Sequence, residues 1–290
     1  MAIKVLLDTD IGSDIDDAVT LAYLLAQPQC DLLGVTTVSG EVEKRAQIAS
    51  ALCIAAGRNI PIFPGRATPL LIREEQVIAE QAAVLDHWPH AEHFPHGEAI
   101  PFMARTIRAN PGEVILLTIG QLSNIAALFA ADEEIPHLLK GIVSMCGIYH
   151  LFPSHGPVEY NAGLDPHATA MVYHAEAPFH RSMGLDITRQ VRLMKDEVLE
   201  RFRIKPLETV LGFAEVWWKE SPSLTFHDPL AAATIFDENI CEFERGEVEV
   251  EITSKPLAGY TNWHASPSGR HEAAVKVDPD RFYEHFFSVF

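Results

Sequence analysis

Asp8, Asp10, Asp14, Asp16 and Asp17 put five acids into ten residues, directly behind the apolar run 3–7. Carboxylates this close repel one another, and a globular chain rarely concentrates them without a cation to hold. A hard ion such as Ca²⁺ takes six to eight oxygens from carboxylates, carbonyls and water, so other parts of the chain must complete the set. Helix capping is the plainer use of an aspartate in this position and accounts for one of these acids. It does not account for Asp10, Asp14, Asp16 and Asp17 together.

Three later segments carry matching chemistry. In Phe226-His227-Asp228-Pro229, Asp228 taken alone reads as a helix cap with proline at the first helical position. Beside an acidic metal loop, His227 becomes a candidate proton carrier next to a ligand, because imidazole is the side chain most easily tuned near neutral pH. In Leu117-Thr118-Ile119-Gly120-Gln121-Leu122-Ser123-Asn124, the glycine leaves a strand-end carbonyl such as that of Ile119 free to face a cation; an ordinary turn capped by Ser123 explains it equally well. In Glu159-Tyr160-Asn161, a carboxylate and an amide two residues apart point the same way on extended backbone, which suits hydrogen bonds to a sugar. Asp165-Pro166 reads as the start of the next helix.

His87, His90, His93 and His96 recur every third residue, but Pro89 and Pro95 break any helix that would align them, so a solvated loop is expected. Trp217-Trp218 reads as core and partly covered surface rather than as a base-stacking platform.

The elements that must position these groups alternate. Residues 3–7, 32–38, 60–63, 113–118, 141–146 and 179–185 read as strands, the last ending in Asp186. Helix faces follow at Ala18, Leu21, Ala22, Leu25 and at Ala46, Ala49, Cys53, Ala56. Such alternation signals βαβ units and a parallel sheet, whose ligands bind at the carboxyl ends of the strands. Helical stretches are expected near 195–204 and 207–220, an antiparallel edge strand at 248–253, and a long loop with helical pieces over 66–100. No repeat or linker divides the chain. The expectation is one α/β domain over residues 1–290, with a mostly parallel open sheet flanked by helices.

Twenty-two basic against 40 acidic residues leave a formal charge of −18, which repels a phosphate backbone and an anionic membrane and argues against both as partners. No apolar stretch approaches the roughly 18–20 residues of a membrane span. The N-terminal residues lack the pattern of a secretory signal, so a soluble cytoplasmic protein is expected. Cys30, Cys53, Cys146 and Cys241 form no C-x-x-C pair and read as buried free thiols.

Taken in order, Asp8-Thr-Asp-x-Gly with an acidic pair, Leu-Thr-x-Gly-x-Leu-Ser-Asn, Glu-x-Asn-x-x-x-Asp-Pro and His-Asp-Pro-Leu resemble the inosine-uridine preferring nucleoside hydrolase family over residues 3–283. The resemblance implies a Rossmann-like fold and a Ca²⁺-dependent N-ribohydrolase of nucleoside catabolism and base salvage. A small-molecule ribonucleoside would be its substrate, and a homodimer or homotetramer its assembly. It implies Asp10 as the metal ligand that also orients and deprotonates the attacking water, Asp17 as a bidentate ligand, Ile119 as a carbonyl ligand and Asp228 as a further carboxylate. Asp16, Glu159 and Asn161 would contact ribose hydroxyls, and His227 would stand beside the leaving base. Metal coordination would make a water nucleophile available near pH 7, and the carboxylates would stabilise the oxocarbenium-like ribose.

The chain departs from the family pattern in places. Ile11 replaces a proline, and two extra residues precede Asp16-Asp17, which leaves Asp14 as an alternative to Asp16 at the ribose. Gln121 stands where proline is common, and Cys146-Gly147 where a Gly-Gly pair is usual. No asparagine occurs around Pro153-Ser154-His155, where the family offers one to substrate.

Two other readings compete. Leu6-Leu7-Asp8-Thr9-Asp10 also resembles the Asp-x-Asp loop of haloacid-dehalogenase-like phosphatases, against which Gly12 and the missing basic phosphate site count. A Ca²⁺-dependent nucleoside or sugar binder without turnover would keep the pocket but have no use for Asp10 and His227. Purine or pyrimidine preference rests on loops 66–100 and 205–226, whose sequence does not decide it.

Overall fold

The apolar runs become β1 (Ile3–Thr9), β2 (Cys30–Thr37), β3 (Ile62–Pro64), β4 (Val114–Thr118), β5 (Gly141–Met145) and β6 (His180–Met183) in a computed structural model that describes residues 2–150 and 156–290. They lie in the order β3-β2-β1-β4-β5-β6, all parallel. The chain winds one way from β1 to β3, then returns to place β4 on the other side of β1. The carboxyl ends of β1 and β4 therefore flank a topological switch point, where an open α/β sheet forms its ligand crevice. Every residue of β4 and β5 is buried, as expected of parallel strands covered on both faces.

Beyond β6 the sheet changes character. The strand β11 (His271–Val277) pairs parallel with β6, while β9 (Cys241–Val250) runs antiparallel to β11 and to the outermost β10 (Thr261–Ala265). The antiparallel strand expected at 248–253 is thus a longer, internal one ending at Val250. The true edge, Thr-Asn-Trp-His-Ala, is too polar and short to announce itself. A separate pair joins β7 (Arg192–Met194) to β8 (Ser223–Thr225).

The segment expected as a strand to residue 185 stops at Met183, and Leu185–Thr188 is a short helix carrying buried Asp186. Within the long irregular stretch, Glu80–His87 is 3₁₀-helical, and Ala99–Ala109 is a full helix that the sequence reading missed. Its buried Ala99, Met103 and Ile107 recur every fourth residue; Pro101 falls in the first turn, where a missing N–H costs little.

Two helices carry the ends of the site together. Asp16–Ala26, buried from Asp16 through Leu25, packs against His227–Ala233. A second polar knot lies between β5, β6 and β11. The His180 ring sits 4.4 Å from that of Tyr173, its Nε2 is 2.9 Å from Ser144 Oγ, and His271 Nε2 is 2.9 Å from the Tyr173 carbonyl. Burial pushes both imidazoles below their ordinary pKa, His180 well below. All four cysteines are buried free thiols. Among the described residues no helix is long and apolar enough to cross a membrane.

Candidate active site

A cleft of about 570 Å³ opens at the carboxyl edge of the sheet. Its floor is lined by Asp10, Asp14, Asp16 and Asp17 from the first loop and helix, by Ile119 beyond β4, and by Asp228. Glu159, Asn161 and His227 complete the set, so the residues that the resemblance assigns to metal, water, ribose and base face one cavity. Among the described residues, no Lys or Arg lines it.

Three of these carboxylates converge. Asp16, Asp17 and Asp228 each offer an oxygen within 4.8 Å of the others, and all three are buried. Burial pushes their pKa values well above the ordinary carboxylate range, and the neighbouring acids push the same way. Asp16 Oδ2 accepts the Asp228 amide at 3.0 Å, and Thr9 Oγ1 donates to Asp17 Oδ1. None of the loop acids caps the first helix: its N-cap is Ile15, without a side-chain bond. Asp228 likewise makes no capping bond, because its helix already begins at His227. Capping therefore explains none of the cluster. An all-oxygen, buried and mutually repelling set is what a hard divalent cation fits.

The acidic loop places its carboxylates in two groups. Asp16, expected at ribose, belongs to the convergent trio, whereas Asp10 stands beside it. Burial raises the Asp10 pKa, opposed by the Arg45 charge and the Gln76 side chain. Gly120 allows this approach: a Cβ there would lie 2.8 Å from Asp10 Oδ1 and 2.9 Å from Asp10 N. Asp14 is half-buried, pushed up to about 6 by burial, and its Oδ1 accepts the Ile15 amide at 2.6 Å. Beneath them, Asp8 is fully buried and pushed up to about 7, its Oδ1 held by Thr36 and Asn124 at 2.5 and 2.7 Å.

The side walls correct one expectation. Glu159 and Asn161 do not lie on extended backbone: Glu159 is the N-cap of the short helix Tyr160–Leu164. Its carboxylate accepts the amides of Asn161, Ala162 and Gly147 at 2.8–3.0 Å. Burial raises its pKa against the pull of these three N–H groups. Asn161 Nδ2 donates to the carbonyls of Ile119 and Met145 at 3.0 and 3.1 Å, which leaves Oδ1 for the cleft. Ser123 does not cap its helix but donates to Asp165, which does cap the following one.

On the far wall, His227 Nδ1 lies 2.7 Å from Thr188 Oγ1, and burial, with the Arg189 charge, pushes the imidazole down to about 4. Trp217 and Tyr160 also line the cavity. The Trp217 indole donates to the Ser223 carbonyl at 3.0 Å. The four spaced histidines form no common site among the described residues: His90 bonds to the Trp88 carbonyl and His96 pairs with Glu43. Pro153-Ser154-His155 lies outside the described residues.

Fold and cleft together define a doubly wound α/β enzyme with an all-oxygen acidic centre at its switch point. The family model for inosine-uridine preferring nucleoside hydrolase matches residues 5–284, and the chain belongs to that family, as an N-ribosyl hydrolase. An uncharacterized protein of Schizosaccharomyces pombe is 31% identical, over 97% of this chain and 96% of that one. An inosine-uridine preferring nucleoside hydrolase of Leishmania major is 29% identical, over 97% and 95%. Among solved structures, a plant nucleoside hydrolase superposes with a TM-score of 0.87 at 22% identity, over 100% and 99% of the two chains, which shows the shared fold.

Proposed function

We propose that this chain hydrolyses the N-glycosidic bond of ribonucleosides to free base and ribose, with Ca²⁺ held at the cleft floor. The observation that carries this reading is the convergence of Asp16, Asp17 and Asp228 in a cavity that also collects Asp10, Asn161 and His227. Asp17, Asp228 and Asp16 would hold the ion by carboxylate, and Ile119 and Asp10, which line the same cavity, would add a carbonyl and a fourth acid. Bound there, Ca²⁺ supplies a fixed positive charge that eases loss of a proton from an attacking water.

Asp10 takes that proton at its carboxylate. Asn161 Oδ1 accepts a ribose hydroxyl, as do Asp14 and the remaining lone pairs of Glu159 and Asp16. Their negative field stabilises the ribose as it gains oxocarbenium character. His227, kept neutral, presents its Nε2–H to the departing base once the Thr188 hydroxyl donates to Nδ1; this hydrogen bond stabilises the base as it leaves as an anion, which then takes its proton from solvent. The lining without Lys or Arg disfavours a phosphorylated substrate, and with it the phosphatase reading.

The reading carries with it one domain over residues 1–290, a homo-oligomer and a cytoplasmic setting, which limited proteolysis, light scattering and fractionation test. Chromatography of free base from a panel of inosine, uridine, adenosine and cytidine, with and without chelator, tests the activity. Base release with calcium that stops on chelation is expected; binding without release over hours would leave a non-catalytic binder.

A further inference from the structure

We propose that Arg45 and Gln81 are positioning residues for this acidic loop: between them they take five consecutive main-chain carbonyls, from Asp10 to Asp14. They thereby hold the loop in the form that presents its acids to the cleft. The inference rests on the cation reading of the site given above.

Arg45 comes from the helix Val42–Ala55 and is fully buried. Its Nη1 donates to the Asp10 carbonyl, to the Ile11 carbonyl at 3.1 Å and to Ser13 Oγ at 3.1 Å; its Nε donates to the Ser39 carbonyl at 2.7 Å. Nη2 reaches the carbonyls of Gln76 and Ile78 at 3.5 Å, on the rim of the cleft. None of these partners is a carboxylate, although five aspartates crowd nearby. Gln81, also fully buried, comes from the opposite side on the 3₁₀ helix Glu80–His87. Its amide N–H donates to the Gly12 carbonyl at 2.9 Å, and its Nε2 donates to the carbonyls of Ser13 and Asp14 at 3.0 and 2.8 Å.

The loop cannot find another form cheaply. Gly12 has φ +118°, where L side chains are strained, and a Cβ there would meet Ile48 Cδ1 at 2.8 Å. With the carbonyls gathered outward, Asp10, Ser13 and Asp14 are left to line the cavity. A plainer role is available to both residues: buried carbonyls need donors whatever the site does. The two roles separate on cation affinity. A merely structural donor would lower stability and leave affinity alone. Arg45 also offers a sign test, because deleting a positive charge beside a cation site tightens binding by Coulomb's law, whereas a lost loop geometry loosens it.

The deciding measurement is calorimetric titration of Ca²⁺ into chelator-treated full-length protein, wild type against Gln81→Met, Arg45→Lys and Arg45→Gln, with Tm in chelator recorded alongside. Calcium affinity is expected to fall about 10–100-fold in Gln81→Met and in both Arg45 variants. Lysine should not rescue, since a point-charge ammonium cannot serve the Asp10, Ile11 and Ser39 carbonyls together. Wild-type affinity in the variants with only a lower Tm, or tighter binding in Arg45→Gln, would overturn the inference and leave the cation reading standing. Absence of calcium uptake by the wild type would overturn both. Should the Arg45 variants fail to fold, Gln81→Met decides by itself, since it keeps every charge and removes two loop bonds.

Discussion

Replacing Asp228 by asparagine should change the protein's melting in opposite directions with and without calcium. In the cation-free protein, Asp16, Asp17 and Asp228 crowd together in burial, and each has a pKa raised well above its ordinary value. Removing one charge relieves the others, so cation-free Asp228→Asn should melt at or above the wild type.

With calcium at 100 times its Kd, linkage stabilises the wild type by about 2.7 kcal/mol. At roughly 2–4 °C per kcal/mol for a chain of this size, Tm rises by about 5–11 °C. Losing one carboxylate ligand weakens binding by on the order of 100-fold. The same calcium concentration then equals Kd and contributes only about 0.4 kcal/mol, or roughly 1 °C.

The pH trend has a definite sign. Groups with raised folded-state pKa values bind more protons folded than unfolded. Their contribution is therefore full below the unfolded carboxylate value near ~3.9 and is lost as pH rises through the folded values. The cation-free difference between wild type and Asp228→Asn should accordingly narrow on acidification from pH 7. Differential scanning calorimetry in calcium and in chelator reads all of this. A wild-type Tm indifferent to chelator, or a variant equally destabilised in both conditions, would show the three acids to be scaffold rather than a cation site.

Other substitutions separate the remaining roles. Asp10→Asn should lower kcat for base release by about 10²–10⁴ and also shrink the calcium-induced rise in Tm, since Asp10 is the fourth acid at the ion; unchanged turnover would remove Asp10 from the chemistry. His227→Ala should slow inosine far more than an activated nitrophenyl riboside, and Thr188→Val should give a smaller loss, on the order of tenfold, with the same substrate bias; equal losses on both substrates would deny His227 a part in base departure. Gly120→Ala forces a methyl against Asp10 Oδ1 and should cost activity out of proportion to stability, measured by kcat against Tm. Buried neutral His180 and His271, with folded pKa values below the ordinary one, give stability that is full above about pH 6.5 and is lost as pH falls below it; His180→Gln should shrink that acid-side loss in chemical denaturation at pH 5–7.

The parts of this architecture that could be read from the chain are those where pattern and position coincide. The runs behind β1, β2 and β4 are nearly unbroken apolar stretches, so their strand character and parallel pairing followed from composition. Asp10, Asp17, Asp228 and His227 could be picked because acids directly after such a strand, and a His-Asp-Pro before an apolar helix, are costly unless used.

What remained hidden depended on partners far along the chain. Glu159 could not be recognised as a cap without knowing that its segment bends into a helix. Which two of the loop acids join Asp228 depended on the loop's path around Gly12. Arg45 was not singled out from the sequence, yet it stands four and seven residues before Ala49 and Leu52, on the buried face of its helix; that phase was the available signal. The strand β11, whose alternation breaks at buried Ala274 and exposed Val275 where its register shifts, became a strand through its neighbours rather than its own preference.

The cleft has two kinds of wall. Its floor hangs from strand ends and helix starts locked into the sheet, while its rim comes from the irregular stretch around Glu75–Ile78 and from the turn after Trp217. Inheritance can therefore tinker with these two margins separately from the bond-breaking machinery. Grafting a rim from a relative with a different taste in bases is the natural engineering route, and drift along the same margins would let sister lineages part ways over diet while sharing one reaction.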